Sequence, residues 1–261
     1  MAEVLLVSVA VGLSQAIDIS NRSFAIFVMH SKQAIFFILT LTFSFVAQAE
    51  SLFVFLPTQV RAKVMQQQIS QICPELEVTV FGRGKDFRRQ IKNTPPSAVL
   101  SLMPIIERLG SFDTVLKGAK NGQTQEKYVI VSVGRPLNMQ DIAQKKIGVV
   151  DLLGRKPMGE YIAGIFPVAV KLKRVTKTED LLPLLTFGSV EAVLVSESHF
   201  LQLKAKSNLK LVASSSNLTM SLVNLALSGV NAKEKLLSCI SRFDDKINST
   251  LGVDQWLAMS K

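Results

Sequence analysis

The chain has 261 residues, only two of them cysteine, and carries a formal net charge of +10 at neutral pH. A positive charge of this size favours anionic partners in general, such as small anions, nucleic acid or lipid headgroups. The basic residues are scattered and no run of five or more occurs, which excludes a dedicated nucleic-acid-binding arm of the usual kind.

The N-terminal region has the pattern of a secretory signal. Lys32 gives a positive start, Ala34–Val46 is an apolar core, and Ala47-Gln48-Ala49 is a small-x-small cleavage site. The core is shorter than the roughly 20 residues that a membrane span needs. A hairpin of two short membrane segments is the alternative, but the polar turn Asp18–Arg22 argues against it.

The position of Met29 suggests where this signal begins. We therefore predict that residues 1–28 are an extension from a mis-assigned start codon and that residues 29–49 are the signal peptide. The mature chain is then Glu50–Lys261, and we expect it to be exported to the periplasm.

The mature chain alternates between predicted strands and helices. Short apolar or β-branched runs predict strands at Leu52–Leu56, Glu77–Phe81, Ala98–Met103, Lys127–Val133, Lys146–Asp151, Ala169–Val175, Glu191–Val195, Leu209–Ala213 and Met220–Leu227. Helical spacing predicts helices before Ile72 and at Lys85–Lys92, Pro157–Phe166, Glu179–Phe187, Glu197–Ala205 and Ala232–Leu251. Thr178 is the predicted cap of the helix that starts at Glu179. This alternation predicts an α/β fold with mostly parallel sheet covered by helices on both faces.

One strand leads into a loop suited to anions. Lys146–Asp151 is followed by Gly154, Arg155 and Lys156, and Pro157 suits the first position of a helix. Free backbone N–H groups and the helix dipole favour an anion at such a place. The alternative is an ordinary solvated turn. The basic residues of Lys85–Lys92 recur at helical spacing, and we interpret them as a solvated face.

The residues for catalysis and metal binding are sparse. His199 is the one histidine of the mature chain, which excludes a metal site built on several histidines. Gly82-Arg83-Gly84-Lys85 lacks the spacing of a phosphate-binding P-loop, and no G-x-S-x-G nucleophile motif occurs. We therefore expect no enzyme activity, no cofactor and no metal. Cys73 and Cys239 are compatible with one disulfide in an exported protein, or with two buried apolar thiols.

The order of elements, with KKIGVVD at Lys145–Asp151 and FGSVEAVLVSESHF at Phe187–Phe200, resembles the type 2 periplasmic solute-binding proteins. The similarity is greatest to the phosphate/phosphonate-type (PhnD-like) components of ABC transporters. The resemblance implies two lobes, each a mostly parallel sheet flanked by helices. Residues 50–133 and 214–261 would form lobe 1, and residues 134–213 lobe 2. The strands Lys127–Val133 and Met220–Leu227 would form the hinge, and both cysteines would lie in lobe 1.

The resemblance also implies a ligand between the lobes, at the carboxyl ends of strands. The candidate ligand-binding residues share that location: Thr58, Arg83, Ser101, Ser132, Gly154, Arg155, Lys156 and Ser196. The hydroxyls would donate hydrogen bonds, and the two arginines would clamp an anion. For each hydroxyl, capping of a local turn is the alternative role.

These observations predict an exported, monomeric solute-binding protein. It would close on a small anionic or polar solute, such as a phosphate-like oxyanion, and deliver it to a membrane permease of the ABC type. The alternative is a periplasmic sensory domain of the same fold that works with a membrane sensor kinase or cyclase. A third hypothesis is an exported enzyme on the same scaffold.

Overall fold

The computed structural model describes residues 50–58, 60–229 and 231–259. The predicted signal peptide and the segment before it lie outside the described residues. In the described part of the chain, no helix combines the length and the apolar character that crossing a bilayer requires.

The strands and helices alternate along most of the chain. The strands are β1 (Glu50–Phe55), β2 (Leu76–Phe81), β3 (Ala98–Leu102), β4 (Asp113–Ala119), β5 (Gln125–Val133), β6 (Lys146–Val150), β7 (Lys171–Val175), β8 (Ala192–Ser196), β9 (Leu211–Ser221), β10 (Val223–Leu227) and β11 (Gln255–Ala258). The helices are α1 (Ala62–Ile72), α2 (Gly84–Asn93), α3 (Met103–Leu109), α4 (Arg155–Ile165), α5 (Leu181–Thr186), α6 (Glu197–Ala205), α7 (Lys233–Ser241) and α8 (Asp245–Leu251).

The strands form two sheets. The first has the order β11-β4-β10-β3-β1-β2, and the second has the order β7-β6-β8-β5-β9. The pairings β2-β1-β3 and β7-β6-β8 are parallel, as βαβ connections require, whereas the other strand pairs are antiparallel. The pairings are therefore mixed rather than mostly parallel, because five strands have only antiparallel neighbours, namely β4, β5, β9, β10 and β11.

The chain changes sheet at two adjacent points. It leaves the first sheet after β4 and returns before β10, and the N–H of Leu222 donates to the carbonyl oxygen of Thr124 at 2.9 Å. The first sheet, which we call lobe 1 with its helices, is thus built from both ends of the described chain. The second sheet, lobe 2, comes from the middle.

The crossing points differ from the predicted lobe boundaries after Val133 and before Ser214. Strands β5 and β9 pair along their full lengths within the second sheet, so the sheets divide near Thr124 and Leu222. Nothing local in the sequence marks the residues at which the chain passes from one sheet to the other.

A disulfide between Cys73 and Cys239 joins the two parts of lobe 1. Cys73 ends α1, Cys239 lies in α7, and their Cα atoms are 5.4 Å apart. Both cysteines are fully buried in the core that α1, α7 and α8 form on one face of the first sheet. The sequence is compatible with a disulfide or with two buried thiols, and the structure contains the disulfide.

A second core is shared by the two lobes. The rings of Phe55 and Phe87 stack with centroids 5.1 Å apart in lobe 1, and they belong to one apolar cluster with Leu152 and Met158 of lobe 2. The lobes therefore contact each other through buried apolar side chains as well as through the two crossings of the chain.

Two helix predictions change in detail. The predicted helix Ala232–Leu251 is two helices, because the side chain of Asp244 accepts from the N–H of Ile247 at 2.8 Å and starts α8 separately. Thr178 does not cap a helix with its side chain. It begins a short 3-10 turn, Thr178–Asp180, and α5 follows at Leu181.

Candidate functional site

The largest opening near the predicted ligand position is a cavity of about 570 Å³ between the lobes. On the lobe 1 side, Pro57 and Thr58 follow β1 and Leu102 ends β3, and on the lobe 2 side lies Gln202 of α6. Ser221, the last residue of β9, also lines the cavity. Both lobes thus contribute walls to this cavity, which we call the cleft. Ligands of open α/β sheets bind at such strand ends.

A hydrogen-bonded pair forms part of the lobe 2 wall. Ser196 is buried and caps α6, and its Oγ lies 2.9 Å from Nδ1 of His199 and 3.0 Å from Oγ of Ser198. Burial lowers the pKa of His199, and the nearby carboxylate of Glu126 only partly opposes this effect. The imidazole is therefore neutral at neutral pH, and Ser196 has its hydrogen bonds within its own helix turn.

Glu126 connects the strand β5 with α6, and Tyr128 of the same strand also lines the cleft. A side-chain oxygen of Glu126 accepts from the N–H of Ser198 at 3.0 Å, and both residues line the cleft. Burial raises the pKa of Tyr128, and the negative charge of Glu126 raises it further. The phenol therefore stays protonated. The cleft offers one carboxylate and several neutral hydroxyls on this side.

The cleft also contains basic residues. Lys120, which follows β4, and Lys206, which follows α6, are among the residues that line it. With Glu126 they give the cleft charges of both signs. A cleft with charged groups of both signs can bind a zwitterionic solute, and it is not suited to simple anions alone.

Two of the predicted ligand-binding residues line the cleft, namely Thr58 and Ser196. Ser101 and Ser132 are not among its lining residues. Their side chains are buried and donate, each at 2.6 Å, to the backbone oxygens of Phe55 and Arg135 respectively. The contact of Ser132 is within a local turn, as in the alternative role considered for these hydroxyls, whereas Ser101 bonds to the neighbouring strand β1.

The predicted anion corner around Gly154 already contains a carboxylate. The side chain of Asp151 accepts from the N–H of Gly154 at 2.7 Å, so this backbone donor is occupied. Arg83, Arg155 and Lys156 are exposed and none of them lines the cleft. The structure does not bring these cations together with Thr58 and Ser196.

A different arginine joins the lobes. Nη1 of Arg88, in α2, donates to the carbonyl oxygen of Leu152 in lobe 2 at 3.0 Å. Gly154 has φ +93°, and a Cβ there would lie 3.2 Å from Nη2 of Arg88, while a Cβ on Gly84 would lie 3.2 Å from the carbonyl oxygen of Asp151. The two glycines thus allow the close approach of the lobes. Nothing in the sequence distinguishes Arg88, because it shares a helical stripe with solvated basic residues.

Comparisons with known proteins identify the architecture. No family model matches the sequence, and no curated protein matches it. Among solved structures, the arginine-, lysine-, histidine-binding protein ArtJ from Geobacillus stearothermophilus is 16% identical with a TM-score of 0.56, and the match covers 80% of this chain and 97% of that one. The amino acid ABC transporter substrate-binding protein AbpA from Streptococcus pneumoniae, bound to L-arginine, is 16% identical with a TM-score of 0.52, covering 77% and 91%.

The VFT2 domain of Bordetella pertussis BvgS also matches, at 11% identity and a TM-score of 0.51, covering 78% of this chain and 93% of that one. Together with the two sheets and two crossings, these matches decide the fold. The chain has the two-lobed type 2 periplasmic-binding-protein fold. At these identities the likeness concerns the fold alone, so the ligand has to be inferred from the chain's own cleft.

Proposed function

We propose that the mature chain is an exported solute-binding protein that encloses a small polar solute between its lobes and delivers it to an ABC permease. The observation that supports this most is the cleft, which draws its walls from both lobes at the carboxyl ends of β1, β3 and β8. A volume of about 570 Å³ suits a small metabolite.

Export is proposed from two features of the chain. The signal pattern at residues 29–49 is one of them. The disulfide between Cys73 and Cys239 is the other, since disulfides persist mainly in oxidising compartments such as the periplasm.

Amino acids are the first ligand class to test. ArtJ and AbpA are named as amino-acid-binding proteins, and the cleft contains charges of both signs. A phosphate-like ligand has no comparable support, because the cations predicted to clamp it do not line the cleft. ArtJ and AbpA are both named as binding proteins, and we expect this chain likewise to bind its solute without converting it.

The hinge would lie where the two crossings run side by side, at Thr124 and Leu222. Rotation there would change the gap between the cleft walls while each sheet stays intact. The sensory alternative would use the same two-lobed fold, but no feature of the described residues favours it.

Isothermal titration of residues 50–261 with each L-amino acid and with inorganic phosphate tests this proposal. Gln202 is exposed and lines the cleft, so Gln202→Trp should place an indole ring at its wall and weaken binding. Leu201→Trp is the matched control, because Leu201 neighbours it on α6, is 61% exposed and does not line the cleft. The proposal fails if no solute binds, or if the two variants bind equally well.

A further inference from the structure

One buried hydroxyl in the described chain lacks a partner. Thr178 is only 2% exposed, and its Oγ1 is the sole buried side-chain nitrogen or oxygen of the described residues without a hydrogen bond. A buried, unpaired polar atom costs free energy unless a ligand or a water satisfies it. The Oγ1 of Thr178 is therefore a candidate partner for a polar group of a ligand.

Thr178 lines two small cavities of about 30 Å³ each, and we call the one that Tyr128, Met158 and His199 also line the side chamber. Pro57, Tyr128, Ser196 and His199 line both this chamber and the cleft, so the two share a wall. By volume the side chamber holds about two water-sized groups, which corresponds to a carbon and one polar atom.

The side chamber is apolar apart from a few neutral groups. Most of its wall consists of aliphatic side chains such as Val149, Met158 and Leu194, and no Asp, Glu, Lys or Arg lines it. The hydroxyl of Ser196 is already bonded to His199, which burial keeps neutral. A charged group placed here would lose its hydration without gaining a counter-charge.

Resting on the proposed function, we propose that the side chamber is the specificity pocket of the cleft and takes a short, uncharged, hydroxyl-bearing substituent of the solute, which hydrogen-bonds to Oγ1 of Thr178. The charged groups of the same solute remain in the wide part of the cleft with Glu126 and Lys120. Hydroxylated small amino acids have this combination of groups. The chain then discriminates against long cationic side chains such as that of arginine, which need a buried counter-charge at their end.

Matched ligand pairs test the pocket directly. L-serine with L-alanine and L-threonine with L-valine each differ at a single substituent, and L-arginine and L-lysine supply the charged side chains. We expect the wild-type chain to bind the hydroxylated member of at least one pair about tenfold more tightly than the other member. The reason is that the analogue without the hydroxyl leaves the buried Oγ1 of Thr178 without a hydrogen bond. L-arginine and L-lysine should bind more weakly than that member.

Three variants separate the role of the hydroxyl from a general defect. Thr178→Val replaces the hydroxyl by a methyl group of similar size, so the preference within the pair should fall to less than threefold. Thr178→Ser keeps the hydroxyl and should retain the preference. Thr186→Val removes an exposed hydroxyl that bonds to the backbone oxygen of Leu182 in α5, and it should change nothing.

The outcomes distinguish the pocket from the wider function. The pocket is refuted, while the solute-binding proposal stands, if amino acids bind but the hydroxylated members have no advantage. It is also refuted if L-arginine or L-lysine binds as well as the best hydroxylated member, or if Thr178→Val weakens both members of a pair equally. If neither an L-amino acid nor inorganic phosphate binds, both proposals are overturned.

Discussion

The disulfide between Cys73 and Cys239 allows a quantitative prediction about stability. The bridge spans 166 residues and holds the start and the end of lobe 1 together. In the chain-entropy treatment, closing a loop of this length removes about 17 cal/mol/K of entropy from the unfolded chain, or about 5 kcal/mol at 25 °C. The double variant Cys73→Ala/Cys239→Ala should therefore be less stable by several kcal/mol.

Urea unfolding of residues 50–261 at fixed pH and temperature measures this difference. Wild-type protein unfolded in the presence of a thiol reductant is the matched comparison, because it loses the bridge but keeps both sulfur atoms. Reduced wild type and double variant should lie close together and well below the oxidised protein. A double variant within about 1 kcal/mol of the oxidised wild type would refute the reasoning, since the loop term alone exceeds that value.

Three further predictions concern the lobe junction, the titration of the cleft and the packing of lobe 1. Arg88→Ala removes the hydrogen bond to Leu152 and should increase the mean separation of fluorophores attached to the two lobes, whereas Arg89→Ala, an exposed neighbour on α2, should leave it unchanged. Because burial lowers the pKa of His199 below 6.5, the unfolded chain takes up the proton first as the pH falls, so stability is full above pH 6.5 and declines below it. In urea unfolding measured at several pH values below 6.5, His199→Gln should make the free energy of unfolding depend less on pH. An unchanged dependence on pH would contradict the lowered pKa of His199. A Cβ on Gly118 would lie 2.6 Å from a backbone oxygen at the start of β10, so Gly118→Ala should cost more than about 2 kcal/mol. Gly159→Ala in α4, where a Cβ meets nothing within 4 Å, should instead stabilise by about 0.5–1 kcal/mol, and equal unfolding midpoints for the two variants would contradict this packing.

The sequence predicts the elements between Lys146 and Ala205 well. The predicted strand Lys146–Asp151 and helix Pro157–Phe166 correspond to β6 and α4 within about two residues at each end. Short apolar runs and helical spacing carry this information locally. The strand β4 and the helix α3 were missed, because Asp113–Ala119 does not alternate clearly and α3 is short with a proline at its start.

The site is less predictable because it depends on contacts between distant segments. Ser101 and Ser132 stand near the ends of predicted strands, yet their hydroxyls bond to nearby backbone oxygens. Glu126 faces the cleft because the chain changes sheet just before it, and nothing local in the sequence marks that point. Thr178 has the pattern of a helix cap, and only the packing around it leaves its hydroxyl unpaired.

Hydrogen–deuterium exchange of residues 50–261, with and without a saturating amino acid identified by titration, tests the central claim most directly. We expect slower exchange on both walls of the cleft, at Thr58 and Val60 of lobe 1 and in residues 197–202 of lobe 2, and at the crossing near Leu222. Protection confined to one lobe, or to a surface away from the cleft, would contradict a solute enclosed between two lobes.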